Sequence, residues 1–148
     1  MSIRTLTCLF ALLAALCAGL ARASIADDHA EFTVIVNPNN PVTSIDRAML
    51  RDAYLRKATD WDNGKTIRPV DLSPRFSARD RFTSSILRKT PSQLKSYWSQ
   101  QIFSGKAVPP PEADSINDVI SYVLANPGAI GYLPPGADPG HAKTVQVH

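Results

Sequence analysis

Cysteine, histidine and long apolar runs are all scarce in this chain of 148 residues. Its two cysteines, Cys8 and Cys17, both lie in one apolar run near the start, so the remainder has no thiol for a disulfide or a nucleophile. The three histidines, His29, His141 and His148, are far apart in the chain and no cysteine accompanies them. We therefore predict no metal site, no thiol chemistry and no cofactor.

The single long apolar run has the features of an export signal. Arg4 precedes the uncharged stretch from Leu6 to Leu20, and Ala21-Arg22-Ala23 has the small residues of a cleavage site. This run is shorter than the roughly 20 residues that span a bilayer. We predict a signal peptide over residues 1–23, a periplasmic location and one domain over residues 24–148. An uncleaved anchor and a lipid attached at Cys17 are the alternatives.

Neither sign of charge is in large excess. Sixteen Lys and Arg residues against 13 Asp and Glu residues give a formal net charge of +3. Two of those cations, Arg4 and Arg22, belong to the predicted signal peptide, and without them the net charge is +1. This balance gives no support to nucleic-acid binding, so nucleic acid is not predicted as a partner.

Catalytic motifs are incomplete wherever they begin. Ser92-Gln93-Leu94-Lys95 matches the S-x-x-K pattern of penicillin-recognising enzymes, but the S-D-N and K-T-G segments that must accompany it are missing. There is no nucleophile elbow, and Asp71 at a strand end has no second carboxylate beside it in the sequence. We therefore predict that the protein is not an enzyme.

Periodicity predicts strands that alternate with capped helices. The β-branched or apolar runs that we predict as strands are residues 31–37, 67–72, 129–133 and 144–147. The predicted helices start after the N-cap residues Asp46, Ser77, Thr90 and Ser115. This alternation is typical of an α/β fold, and we predict a single three-layer domain built on a mostly parallel sheet.

The segment from Arg75 to Phe82 is the strongest candidate for a binding site. Ser77 is predicted as the N-cap of a helix, and Asp80 three residues later completes a capping box. Arg75, Arg79 and Arg81 surround this helix start, where the helix dipole already carries partial positive charge. Clustered cations there make sense if an anion lies between them. The alternative is that these arginines face water and bind nothing.

Four segments together resemble phosphate-binding proteins of ATP-driven uptake systems (ABC transporters). They lie in the family's order between about Val34 and Leu133, and they are Val36-Asn37-Pro38-Asn39-Asn40-Pro41-Val42, Leu50 to Tyr54, Trp61-Asp62-Asn63-Gly64, and Asn126-Pro127-Gly128-Ala129-Ile130-Gly131-Tyr132. The resemblance implies one lobe of a type II periplasmic binding protein, in which two lobes close around an anion.

The same resemblance implies where the anion would bind. The family's phosphate loop ends in Ser-Gly-Thr at a helix start, a position that falls on Ser77-Ala78-Arg79, where only the serine matches. The family's arginine falls on Ser73, so Arg75 or Arg79 would have to supply the charge. The candidate anion-binding residues are therefore Ser77, Ala78, Arg79, Arg75 and Ser73.

Two functions remain open from the sequence. The first is an exported single-lobe protein that binds a small oxyanion, with phosphate the leading candidate, for phosphate uptake. A membrane transporter or a second protomer would then complete the site. The second is a periplasmic protein-interaction or sensory module that keeps the lobe and has lost the ligand.

Overall fold

A computed structural model describes residues 31–148 of the chain. The predicted signal peptide over residues 1–23 and His29 lie outside these residues. Within residues 31–148, no helix combines the length and the apolar character that crossing a membrane requires.

The described residues form seven short strands and four helices. The strands are β1 (Thr33–Val36), β2 (Ser44–Ile45), β3 (Arg68–Pro69), β4 (Asp71–Leu72), β5 (Glu112–Ala113), β6 (Ala129–Leu133) and β7 (Lys143–Val147). The helices are α1 (Arg47–Tyr54), α2 (Ser77–Ser85), α3 (Pro91–Phe103) and α4 (Ile116–Ala125).

Five of the strands form one sheet in the order β2-β7-β1-β6-β3. Strand β1 is antiparallel to both of its neighbours, β6 and β7. Strand β2 is parallel to β7, and β3 is parallel to β6. Four strands of this sheet therefore run in one direction and β1 runs in the other, which confirms the predicted mostly parallel sheet.

The predicted strand over residues 67–72 divides between two ladders. Its first part, β3, pairs with β6, and after the single residue Val70 its second part, β4, pairs in parallel with β5. The backbone N–H of Val70 donates to the Ile130 carbonyl of β6 at 2.9 Å, whereas that of Asp71 donates to the Pro111 carbonyl at 2.9 Å. After this change of partner, β4 and β5 form a separate two-stranded sheet, and β5 is a strand that the sequence analysis did not predict.

Helices cover both faces of the sheet. Gly131 of β6 faces α4, because a methyl group at this position would meet the side chains of Val119 and Val123. The next residue, Tyr132, points to the opposite face, where its ring stacks on Phe82 of α2 at a centroid distance of 4.0 Å and lies near Tyr54 of α1. The resulting helix–sheet–helix arrangement confirms the predicted three layers and the mixed α/β class.

Local signals account for most helix boundaries. The Asp46 carboxylate accepts a hydrogen bond from the Met49 N–H at 2.7 Å and starts α1. Thr90 and Gln93 form the predicted capping box of α3. The Ser115 hydroxyl accepts from the Asp118 N–H at 3.0 Å and starts α4. Helix α1 ends at Tyr54, two residues before Arg56, which adopts a left-handed backbone with φ of 59°.

Hydrogen bonds join three of the four family-like segments. The Asn37 side-chain amide donates to the carbonyls of Val123 and Leu124 at the end of α4. The indole N–H of Trp61 donates to the Gly128 carbonyl at 3.0 Å. These bonds hold the loops that carry Asn37 and Trp61 against the turn between α4 and β6.

Candidate functional site

The candidate site lies where β4 ends and α2 begins. After Leu72 the chain turns through Ser73, and the Phe76 N–H donates to the Ser73 carbonyl at 3.1 Å. Phe76 has an extended backbone (φ −91°, ψ 124°) and is the N-cap of α2, with no side-chain capping bond. The predicted N-cap at Ser77 is therefore wrong by one residue: Ser77 is the first helical residue, and the capping box with Asp80 does not form.

Two backbone N–H groups at this helix start are open. Those of Ser77 and Ala78 have no hydrogen-bond partner among residues 31–148, whereas that of Arg79 donates to the Phe76 carbonyl at 2.9 Å. Ser77 is exposed and Ala78 is buried. The first N–H groups of any helix lack intrahelical partners and favour an anion or an acceptor oxygen. Of the candidate residues, Ser77 and Ala78 thus each offer an open backbone N–H within the described chain, whereas the N–H of Arg79 is occupied.

Ser73 is the second element of the site. It is only 7% exposed. Its backbone N–H donates to the Ala113 carbonyl at 2.9 Å, which anchors it to β5. Its hydroxyl makes no hydrogen bond to any other residue of the described part of the chain. The hydroxyl oxygen is not among the fully buried polar atoms that lack a partner, so it reaches solvent and can donate to water or to a ligand.

Arg79 is held by carboxylates. One of its terminal nitrogens, Nη1, donates to the Leu72 carbonyl at 2.6 Å and to Glu112 Oε1 at 2.5 Å. The other, Nη2, lies 3.4 Å from Asp71 Oδ2, and the side chain is 16% exposed. Burial lowers the pKa of Arg79, but the two carboxylates outweigh it and the pKa is raised overall. The guanidinium therefore joins α2 to β4 and β5, and its charge is already balanced.

Asp71 also binds a tyrosine. It accepts a hydrogen bond from the Tyr132 hydroxyl of β6. Burial raises the pKa of Asp71, although Arg79 and the Tyr132 bond partly oppose the shift. Burial and the neighbouring Asp71 carboxylate raise the pKa of Tyr132, so its hydroxyl stays protonated and acts as a donor. We call Asp71, Arg79, Glu112 and Tyr132 the buried ion cluster.

The three arginines do not converge on one point. Arg75 donates to the Asp114 carbonyl, and its guanidinium carbon lies 5.5 Å from the centre of the Phe76 ring. Its side chain is largely exposed, and the Asp114 carboxylate is 3.9 Å away. Exposed pairs of this kind are weak. Arg81 is exposed and makes no ion pair within residues 31–148.

The buried ion cluster is the part of this region that the sequence analysis missed. Asp71 was noted as a single strand-end carboxylate, and Glu112 was not considered because β5 was not predicted. The arrangement offers hydrogen-bond donors and one mobile cation, Arg75, but no nucleophile with a neighbouring base. Among the described residues, no group of three or more histidines, cysteines or carboxylates could hold a metal ion.

Comparisons with known proteins agree with this fold. A profile of PBP superfamily domains matches residues 29–141. A solved structure from Clostridium perfringens, described as a phosphate ABC transporter substrate-binding protein with bound phosphate, is 24% identical with a TM-score of 0.62. That match covers 79% of this chain and 44% of the other. An ABC-type phosphate transport receptor from Vibrio cholerae is 20% identical with a TM-score of 0.63, and the match covers 79% and 46% of the two chains.

The chain thus spans less than half the length of these two solved structures. At these identities the likeness is one of fold. Among curated proteins, none matches the sequence.

Proposed function

Because the chain belongs to the PBP superfamily, whose domain profile spans residues 29–141, we propose that it is an exported solute-binding lobe. Its ligand is a small oxyanion, with phosphate first, and the binding site is the start of α2. The observation that carries the proposal is the pair of open N–H groups at Ser77 and Ala78, next to the unpaired Ser73 hydroxyl.

The position of these donors supports an anion site. They lie just beyond the carboxyl ends of the parallel strands β4 and β5, which is where ligands bind in open α/β sheets. The N–H groups of a helix start also carry the positive end of the helix dipole. The similar structure from Clostridium perfringens contains bound phosphate, which makes phosphate the first ligand to test.

The charge in the proposed site comes from Arg75. Arg79 is a weaker candidate because Asp71 and Glu112 already balance its guanidinium. Arg75 is exposed, and turning it toward Ser77 would break only its contacts with Asp114 and Phe76. Binding through an exposed cation is weak and falls as salt is added. A transporter in the membrane or a second protomer would supply the missing wall of the site.

Substitution of Ser77 by proline provides a sharp test. Proline is accepted at the first helical position, and Phe76 before it already has the extended backbone that proline requires. Ser77→Pro removes one open N–H and the hydroxyl while keeping the helix start. We expect phosphate affinity to fall about tenfold or more, because a hydrogen bond to a charged group contributes about 1.5–3 kcal/mol. Calorimetric titration with phosphate and with sulfate measures this loss.

Matched variants separate the parts of the site. Ser77→Ala removes only the hydroxyl and should have a smaller effect, and Arg75→Gln should weaken binding and reduce its dependence on salt. Ser84→Ala, an exposed change on the last turn of the same helix, should bind as the wild type does. Absence of heat up to millimolar phosphate in the wild-type protein would rule the proposal out. Equal binding by wild type, Ser77→Pro and Arg75→Gln would also rule it out.

The second function, a protein-interaction or sensory module, keeps one specific observation in its favour. The buried ion cluster neutralises Arg79, and Ser73 occupies the position where the family has an arginine. Under this alternative a partner protein covers the region near Ser77. A photo-crosslinking residue at position 77 would then capture a partner in the periplasm, while titration with phosphate would release no heat.

A further inference from the structure

The segment from Arg88 to Pro111 carries only positive charge. It contains four cations and no aspartate or glutamate; the cations are Arg88, Lys89, Lys95 and Lys106. None of them forms an ion pair with residues 31–148. The segment covers the end of the α2–α3 connection, all of α3 and the loop that follows.

A shallow groove concentrates three of these cations. Its volume is about 810 Å³, and no carboxylate lines it. Arg88, Lys89 and Lys95 line it together with serine hydroxyl and glutamine amide groups. The Lys89 ammonium lies 5.3 Å from the centre of the Tyr97 ring. The groove therefore offers positive charge and hydrogen-bond donors to an anionic group.

The same segment holds most of the exposed apolar surface. Phe103 is 96% exposed, Val108 is 59% exposed and Ile102 is 55% exposed. Among the described residues, Leu124 on α4 is the one other large apolar side chain in this class, at 37%. Ile102 and Phe103 are adjacent, Val108 follows five residues later, and three such side chains within seven residues are unusual on a surface that faces only water.

Helical spacing puts cationic and exposed apolar side chains on one face of α3. Lys95, Ser99 and Ile102 follow one another at intervals of four and three residues, so they line one side of the helix, and Phe103 lies beside them. Leu94, on the other side, is buried. This lysine–serine face is cationic toward its N-terminal end and apolar toward its C-terminal end.

We propose that the lysine–serine face of α3 binds the surface of an anionic lipid bilayer. Lipid phosphates complement the cations of the groove, and the boundary of the acyl chains accepts the Phe103, Ile102 and Val108 side chains. A second copy of the chain is a poor occupant, because two such faces would bring like charges together. The face is separate from the proposed anion site, since Ser77 begins α2 and Arg88 comes three residues after α2 ends at Ser85.

Co-sedimentation with vesicles tests this inference. The protein as recovered from expressing cells is mixed with vesicles of phosphatidylglycerol and phosphatidylcholine, or of phosphatidylcholine alone. We expect binding to the mixed vesicles only, and less of it in high salt. Each of Arg88→Gln and Lys95→Gln should weaken binding about fivefold, as expected for one cation near an anionic membrane. Phe103→Ser should reduce it by a comparable or larger factor, and Phe103→Trp should retain it because tryptophan favours the interface.

Two control variants make the result specific. Lys65→Gln removes an exposed cation in a turn, and Leu124→Ser removes the exposed apolar side chain of α4; both should bind as the wild type does. Any contribution of the first 30 residues is common to all variants and cancels in the comparison. Equal binding to neutral vesicles, no binding to either kind, or Phe103→Ser behaving like Leu124→Ser would overturn the proposal. If the true occupant is an acidic partner protein, the protein would bind neither kind of vesicle.

Discussion

At the scale of single residues, the buried ion cluster determines how firmly the start of α2 is held. Tyr132 of β6 donates to Asp71 of β4, and Arg79 of α2 bridges Asp71 and Glu112 of β5. Three strands and one helix therefore share one set of charges. Removing a partner of the nearly buried Asp71 carboxylate leaves that charge poorly compensated, which is costly, whereas Glu112 is 47% exposed and reaches water.

The hydroxyl of Tyr132 can be removed without disturbing its ring. Tyr132→Phe keeps the stacking on Phe82 but deprives the Asp71 carboxylate of a donor. We expect a loss of about 1.5–3 kcal/mol in the free energy of unfolding, measured by urea denaturation. Tyr122→Phe, a half-buried tyrosine that makes no side-chain hydrogen bond in the described chain, should change stability by less than about 0.5 kcal/mol. Equal effects of the two changes would show that the hydrogen bond contributes nothing.

The raised pKa of Asp71 predicts a pH dependence with a definite sign. The ordinary value is 3.8, and burial makes the native state bind this proton more tightly than the unfolded state does. Between that value and the native pKa, the free energy of unfolding therefore falls as pH rises. Asp71→Asn does not titrate, so the stability lost by this substitution should be largest in acid and should shrink toward neutral pH.

Urea denaturation from about pH 3.5 to pH 7 measures this difference, in a window that begins near the ordinary value of the carboxyl group. Asp62→Asn, an exposed change in a turn, serves as the control for removing a charge. A stability difference for Asp71→Asn that grows toward neutral pH would contradict the burial-dominated shift.

The sequence predicted some residues of the site and missed others. The serine, the helix start and the surrounding arginines were identified from local spacing. Phe76 as the N-cap was not, because a phenyl ring offers no capping oxygen and only the turn from Ser73 selects it. The pairing of Arg79 with Asp71 and Glu112 depends on residues up to 33 positions apart, which no local pattern reveals.

At the scale of elements, β6 and the turn before it connect the family-like segments. Asn37 binds the end of α4, Trp61 binds Gly128, and the Tyr54 hydroxyl donates to the Val70 carbonyl beside β6. Glycine at position 128 lets the Thr66 carbonyl approach closely, and glycine at position 131 leaves room for valine side chains of α4. The segments that resembled one family in the sequence are therefore largely those that contact one strand and its preceding turn.

The two glycines should differ in their tolerance of a methyl group. At Gly131 an added Cβ would lie 2.7 Å from a methyl carbon of Val119, which can shift. We expect Gly131→Ala to cost about 1–3 kcal/mol, as overpacking usually does. At Gly128 the Cβ would lie 1.9 Å from the Thr66 carbonyl oxygen, which is backbone, so Gly128→Ala should cost more.

Thermal or urea unfolding ranks the two variants. A double-mutant cycle adds a control: Val119→Ala should destabilise less in the Gly131→Ala background than in the wild type, because it makes room for the new methyl. Additive effects, or a milder loss at Gly128 than at Gly131, would contradict these contacts.

Elements with strong local signals were predicted well, and those defined by their partners were not. Helix α3 matches its capping box and proline, and β6 matches its apolar run. Strands β2 and β5 have two residues each, so they exist only as partners of β7 and β4. The C-terminal strand β7 was expected at an edge, but β2 covers it on one side.

At the scale of the whole molecule, the chain corresponds to less than half of the two similar structures. The sheet of residues 31–148 nevertheless has helices on both faces and a continuous buried core that includes Ile35, Leu50, Tyr132 and Val123. These residues thus bury a core of their own, and the single domain over residues 24–148 stays a prediction.

Cooperative unfolding tests that prediction. We expect a single calorimetric transition, with a heat-capacity change of about 1.4–1.8 kcal/mol/K for the described residues, from 12–15 cal/mol/K per residue. The calorimetric and van't Hoff enthalpies should agree. Two resolved transitions would show more than one cooperative unit, and no transition at all would show that the lobe depends on another chain for its stability.

The central position of β1 in the sheet determines when this strand can fold during synthesis. This strand is the first of the described chain, yet its two neighbours, β6 and β7, are the last strands of the described chain. Its backbone hydrogen bonds stay open to water until about a hundred further residues have been synthesised. Folding is thereby delayed, a property that suits the export that we propose, because a translocation pore admits an unfolded chain.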